Sequence, residues 1–262
     1  MANDRKRDGA ELSELCELSE QSEFSRAKQV ALVTGSAKGI GRALALCLAE
    51  AGYAVAAHYR SSVGEVDEVV RLIHAQGGVA KAFQADLTDD VAARSLVQSV
   101  FVEMGGLHVV INNVGNFAIG PFATYSHESW RDMFASNLDS TFAVCQSALV
   151  HMRAQQFGRI VNFGYAGTAK LAARPQSVAY TIAKTGVTLL TKAIALSEIS
   201  HGITANVIAP GIIENSVGDL PSVPAGRVGT YGDVCAAVRY FLSDDANYVT
   251  GQTLEIAGGW HL

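Results

Sequence analysis

The sequence predicts a single α/β domain in which one doubly wound parallel sheet of seven strands carries helices on both faces. Three observations predict it. From Gln29 onward, short β-branched runs alternate with longer amphipathic stretches, the rhythm of βαβ units. The chain has 262 residues, 49% hydrophobic and 17% charged, enough for one large core. A glycine-rich turn, "VTGSAKGIGRAL", leaves the first apolar run and opens the first helical stretch.

Taken in order, the predicted strands are 30–34 (VALVT), 54–58 (AVAAH), 79–84 (VAKAFQ), 109–112 (VVIN), 159–163 (RIVNF), 204–209 (TANVIA) and 253–256 (TLEI). Helical stretches lie between them at 40–51, 65–75, 89–104, 128–154, 177–200 and 233–242. Right-handed crossovers place those helices on both faces, and a ligand is expected beyond the carboxyl ends of the strands. Residues 29–262 form this domain. Residues 1–28 are expected to be a disordered, low-complexity extension, because "ELSELCELSEQSEFS" repeats every three residues and so keeps no apolar face on a helix. A docking segment for a partner is the alternative.

Composition narrows the function. The net charge of -5, with scattered Lys and Arg, argues against nucleic acid as a partner. Cys16, Cys47, Cys145 and Cys235 lie far apart in sequence, with no metal-ligand spacing, so they read as buried reduced thiols and no metal is expected. Arg5, Lys6 and Arg7 are not followed by the apolar run of a secretory signal, and no stretch approaches the ~18 apolar residues of a membrane span. A soluble, cytoplasmic protein with no membrane contact is expected.

The glycine turn points to a dinucleotide. Gly35 permits the tight turn, Gly39 lets backbone N–H groups approach a pyrophosphate, and Gly41 lets helix and strand pack closely, with Thr34, Ser36, Lys38 and Ile40 completing the loop. An acidic residue at the end of the second strand would favour an unmodified ribose, but Tyr59, Arg60 and Ser61 stand there. Arg60 and Lys38 can pair with a 2'-phosphate, which makes NADP(H) the expected cofactor; Glu65 is the nearest acid that opposes it.

Tyr180 and Lys184, in "YTIAK", lie four residues apart and share one helical face. A nearby ammonium favours the phenolate and so lowers the phenol pKa from about 10, which suits Tyr180 to proton exchange with a carbonyl oxygen.

Together with "NNVG", "NVIAPGII", the pair Asp86–Leu87 and the pair Asn137–Leu138, these motifs resemble the short-chain dehydrogenase/reductase family from Gln29 to the carboxyl end. The closing "YVTGQTLEIAGGW" is most similar to its 3-oxoacyl-carrier-protein reductases. The resemblance implies a Rossmann-like fold and NADPH-dependent reduction of a small carbonyl substrate to an alcohol, with Tyr180 as acid/base. It implies that Lys184 holds the nicotinamide ribose and that Asn137 shapes its helix and holds a water leading to Lys184. Asp86 and Leu87 are placed at the adenine, and Asn113, Val114, Gly115, Pro210, Gly211 and Ile213 along the cofactor. A homotetramer is implied, with a dimer also compatible; Phe134, Leu138, Phe142, Val187, Leu190 and Ile194 exceed one apolar stripe and suggest a helix-pair interface.

One family feature is missing. Where the family has a serine that donates to the reacting carbonyl, "IVNFGYAGT" has none, and the match puts Gly164 and Tyr165 there. Tyr165 and Thr168 are the alternative hydroxyl sources. Loss of one such donor costs about 10²- to 10³-fold in rate, so a working reductase with a substituted donor is expected; an NADP-binding regulatory protein without turnover is the alternative. Gln155 and Gln156 stand where an acyl-carrier reductase has basic residues, which keeps a pterin or other small-carbonyl reductase open. Ile212, Ile213, Val217, Phe117 and Phe122 are candidate pocket residues, under a lid kept short by Pro221 and Pro224.

Overall fold

The computed structural model describes residues 29–171, 173–216 and 222–260. The extension 1–28 with Cys16, and the pocket and lid positions Val217 and Pro221, lie outside the described residues.

The seven predicted strands are present as β1 (Val30–Val33), β2 (Ala54–Tyr59), β3 (Ala80–Gln84), β4 (Val109–Asn112), β5 (Gly158–Phe163), β6 (Ile203–Pro210) and β7 (Thr253–Ile256). They form one sheet in the order β3-β2-β1-β4-β5-β6-β7. Every pairing is parallel. The order reverses between β1 and β4, which opens a crevice at their carboxyl ends. The helices are α1 (Gly39–Glu50), α2 (Val63–Ala75), α3 (Asp90–Met104), α4 (His127–Phe134), α5 (Ser140–Gln155), α6 (Val178–Glu198) and α7 (Tyr231–Leu242).

Strand alternation divides the core in two. Ala31 and Val33 of β1 face one layer with Leu44 and Leu48 of α1, Val69 and Ile73 of α2, and Val238 and Phe241 of α7. Val30 and Leu32 face the other layer with Leu96 and Val100 of α3, Val144 and Met152 of α5, and Ile194 of α6. Full burial of each such side chain contributes roughly 1.5–3 kcal/mol.

Element ends follow local chemistry. The Asp89 side chain caps α3 by accepting from the N–H groups of Val91 at 2.8 Å and Ala92 at 3.1 Å, and Gly105 ends it at φ 77°. A reciprocal capping box between Thr230 and Asp233 starts α7 at Tyr231, ahead of the expected 233. The expected helix 128–154 is one helical run interrupted by a π-helical turn at Ala135–Asp139, with Asn137 at its centre. There the Asn137 Nδ2 donates to the Met133 carbonyl at 3.0 Å, a local bond that supports the widened turn. Among the described residues no helix lies between β6 and α7; Ile213 bridges to Gly229 instead. No helix of the described residues is long and apolar enough to cross a membrane.

Candidate active site

The cleft begins at the amino end of α1. Lys38, its N-cap, makes no side-chain capping bond, so the first-turn N–H groups are left for a ligand. Gly35 and Gly39 adopt φ of 66° and 56°, open to glycine at little cost. A Cβ on Gly41 would collide with the Gly35 carbonyl oxygen, so only glycine permits this close packing of helix on loop.

Two adjoining cavities run along the sheet's carboxyl edge. One, of about 430 Å³, is lined by Lys38, Gly39 and Ile40 from the loop and by Tyr180 and Lys184 from α6. Pro210, Gly211 and Ile213 close its far wall. The other, of about 270 Å³, is lined by Gly35, Arg60, Asp86, Leu87 and Val114. Asn113 and Gly115 border both.

The remaining expected cofactor residues act from behind or stand aside. Buried Thr34 accepts from the N–H groups of Asn113 at 2.9 Å and Val114 at 3.1 Å, and Asn113 Nδ2 returns a bond to the Thr34 carbonyl at 3.0 Å. This ties the end of β1 to the end of β4. Buried Ser36 donates to the His58 carbonyl at 3.0 Å. Tyr59 packs against the core layer of α1, and Ser61 is exposed, its carbonyl accepting the Val63 N–H at 3.1 Å. Neither lines the two cavities.

His58 was missed by the sequence reading. Its Nδ1 accepts the Gly35 N–H at 3.0 Å and its Nε2 faces the Ala85 carbonyl at 3.1 Å, so the ring spans the glycine turn and the segment after β3 that carries Asp86. Burial pulls its pKa down to about 4, which keeps it neutral with Nε2 as donor. A histidine inside the apolar run "AVAAHY" was the available signal. Asp86 accepts from Thr88 through N–H at 3.0 Å and hydroxyl at 2.8 Å, which hold its carboxyl below the usual range. Lys38 is ion-paired with Glu65 at 2.6 Å, so the acid expected to oppose a 2'-phosphate engages one of the two candidate cations.

The reaction end gathers Tyr180, Lys184 and Asn137. Lys184 Nζ donates to the Phe163 carbonyl at 2.8 Å and lies 5.9 Å from the Tyr180 ring centre. Phe117 meets the Tyr180 ring edge-on at 5.0 Å. The expected lowering of the Tyr180 pKa is not what the structure shows. Burial, with a smaller contribution from Tyr165, pushes it up to about 12; the opposing cation is Arg174. Burial also pulls Lys184 down to about 8. Both groups share a dry site, and desolvation outweighs their mutual spacing.

Asn137 Nδ2 also donates to the Asn116 carbonyl at 3.0 Å, while its Oδ1 is buried without a partner. That oxygen faces Gly115, where an added Cβ would strike it and would come within 3.1 Å of Lys184 Nζ. At the position matched to the family serine, Gly164 lines the larger cavity. Tyr165 is 7% exposed, its hydroxyl has no partner, and its ring lies 5.9 Å from that of Tyr180. The Arg174 guanidinium sits over the Tyr165 ring at 4.7 Å. Thr168 is buried and its hydroxyl donates to the Tyr165 carbonyl. Of the candidate pocket residues, Phe117 and Ile213 line the cleft, Ile212 is buried, and Phe122 lines a separate groove beside α6.

The site therefore fits a dinucleotide: uncapped N–H groups for the pyrophosphate, Arg60 and Asp86 in one cavity, Tyr180 and Lys184 in the next. Among the described residues no cluster of His, Cys, Asp and Glu suits a metal ion.

A family model described as enoyl-(acyl carrier protein) reductase matches residues 35–261. The 3-oxoacyl-[acyl-carrier-protein] reductase FabG of Staphylococcus aureus (strain Mu50) is 34% identical over 242 residues, covering 88% of this chain and 98% of that protein. The crystal structure of acetoin dehydrogenase YohF from Salmonella typhimurium superposes with a TM-score of 0.82 at 32% identity, covering 88% of this chain and 95% of that one. A gluconate 5-dehydrogenase from Burkholderia cenocepacia J2315, in complex with NADP and tartrate, gives 0.82 at 30% identity, with 88% and 94% covered. The chain belongs to the short-chain dehydrogenase/reductase family of NAD(P)-dependent oxidoreductases, beside its 3-oxoacyl-[acyl-carrier-protein] reductase-like members.

Proposed function

We propose that this protein is an NADPH-dependent reductase that converts a small carbonyl compound, of 3-oxoacyl type, to an alcohol. The observation that carries the reading is that Tyr180 and Lys184 share one cleft with the uncapped amino end of α1. Arg60 supports NADP over NAD, since it borders the adenine-side cavity, while Lys38 is held by Glu65. The NADP-bound relative supports the same choice.

When bound, the dihydronicotinamide supplies a hydride to the carbonyl carbon. Tyr180 gives its phenolic proton to the carbonyl oxygen. A phenol held near 12 is fully protonated at neutral pH, which suits it to act as an acid in the reductive direction. Lys184 remains largely cationic at pH 7, where it stabilises the phenolate left behind and holds the ribose. The unpartnered Oδ1 of Asn137 supports a role in holding a water that returns a proton by way of Lys184. Tyr165 is the better replacement for the missing serine, because Thr168 has already spent its hydrogen on the Tyr165 carbonyl.

A second reading, a pterin or other small-carbonyl reductase, is favoured by one observation. Gln155 donates to the Leu107 and Phe157 carbonyls, and the neighbouring cations are committed, Arg153 to Glu198 and Arg159 to Asn247. Little remains there to meet an acidic carrier protein. Following NADPH absorbance with acetoacetyl thioesters, diketones, quinones and dihydropterins tests both readings. Binding of NADPH without oxidation by any of them would leave a cofactor-binding regulatory protein.

Assembly as a homotetramer is part of the proposal. Val187 and Ile194, expected at a helix-pair interface, are buried in the protein itself, whereas Phe142 and Val150 of α5 and Ile182, Leu189 and Leu196 of α6 are exposed. These supply an apolar face for a symmetry-related pair of helices. Light scattering that returns a monomer would remove it.

A further inference from the structure

The fold brings together two thiols that the sequence holds far apart. Cys47 on α1 and Cys235 on α7 come together as neighbouring, interacting thiols in the core layer where the two helices pack. Each is 7% exposed, against 1% for Cys145 behind β5, so the pair lies nearer the surface of the core. Arg239, one turn beyond Cys235, favours a thiolate here and Glu50 opposes it. The interaction between the two thiols favours the thiolate at Cys47 and pushes the Cys235 thiol up, whereas burial pushes Cys145 up to about 12. The two helices also meet at the cofactor cleft. An added Cβ on Gly39, at the start of α1, would lie 3.9 Å from the Tyr231 hydroxyl, at the start of α7.

We propose that Cys47 and Cys235 form a peroxide-sensitive pair whose disulfide staples α1 to α7 and changes the affinity of the cleft for NADPH. The Cys47 thiolate attacks one oxygen of hydrogen peroxide; the O–O bond breaks, the departing oxygen leaves as water after taking a proton, and Cys47 becomes a sulfenic acid. The Cys235 sulfur then attacks the Cys47 sulfur, the S–O bond breaks, a second water leaves and the S–S bond forms. Two thiols and one peroxide yield one disulfide and two waters, with both electrons passing to the peroxide. A dithiol reductant reverses the step.

The cross-link does not depend on the catalytic reading; only its effect on cofactor affinity rests on the proposed function. The test treats the reduced full chain with equimolar hydrogen peroxide, blocks remaining thiols and maps peptides by mass spectrometry without reduction. The expected result is a Cys47–Cys235 cross-linked peptide that dithiothreitol removes. In Cys235→Ser, it is replaced by Cys47 sulfenic or sulfinic acid. Both cysteines recovered as free thiols, oxidised separately, or joined to Cys16 would overturn the pairing. NADPH titration by fluorescence should then give a dissociation constant altered about fivefold or more in the cross-linked protein and restored by dithiothreitol. Complete cross-linking with an unchanged constant would overturn the coupling. If the reduced protein binds no NADPH, the proposed function fails while the peptide map still decides the pairing.

Discussion

Along the half of the cleft built on β1 to β4, polar groups are tied down before any ligand arrives. Thr34, Ser36, His58 and Asn113 each make hydrogen bonds that join one strand end or loop to the next, and Asp86 is held within its own loop by Thr88. Along the half built on β5 and α6, the Asn137 Oδ1 and Tyr165 hydroxyl are buried with no partner, and Lys184 and Tyr180 are both desolvated. An unmade hydrogen bond on a buried group costs about 1–3 kcal/mol, so the reaction end holds polar capacity in reserve that the cofactor end has already used. The difference separates holding from reacting: one half should govern affinity and stability, the other rate.

The largest expected effect tests the reaction end. Tyr180→Phe should lower NADPH oxidation about 10²- to 10⁴-fold while leaving the NADPH dissociation constant and the unfolding midpoint near wild type. A rate within tenfold of wild type would remove Tyr180 from the chemistry. Next, Tyr165→Phe should lower kcat about 10²- to 10³-fold with stability unchanged or slightly raised, because it deletes a hydroxyl that has no partner to lose. An unaltered kcat would show that Tyr165 fills space only.

The cofactor end should respond in the opposite sense. Arg60→Glu should weaken NADPH binding about 10- to 100-fold and change NADH binding little, read by fluorescence titration; equal weakening of both would take the 2'-phosphate away from Arg60. A separate effect concerns His58 and pH. The unfolded imidazole takes a proton near 6.5 and the folded one resists to about 4, so the unfolded state binds more protons between them. Stability is therefore full above pH 6.5 and is lost as pH falls toward 4, at up to about 1.4 kcal/mol per pH unit. Urea unfolding across that window should show the slope, and His58→Asn should flatten it.

Much of this was legible in the sequence because it depends on spacing along the chain. The glycine turn lies on β1–α1, and Tyr180 and Lys184 share a face of α6 as their four-residue separation requires. His58 was not legible: an imidazole in an apolar strand acquires meaning only when Gly35 and Ala85 arrive at its two nitrogens from other segments. The π-helical turn was also hidden, since a 3.6-residue period cannot show where one extra residue is accommodated.

By itself the sequence determined the α/β order, the glycine turn and the pairing of Tyr180 with Lys184 on one helical face, all properties of periodicity and of residues a few positions apart. The tertiary structure alone decided the protonation of that pair, the partner of Lys38 and the meeting of Cys47 with Cys235. Desolvation and contact depend on what surrounds a group in three dimensions, and residues distant in the chain supply those surroundings.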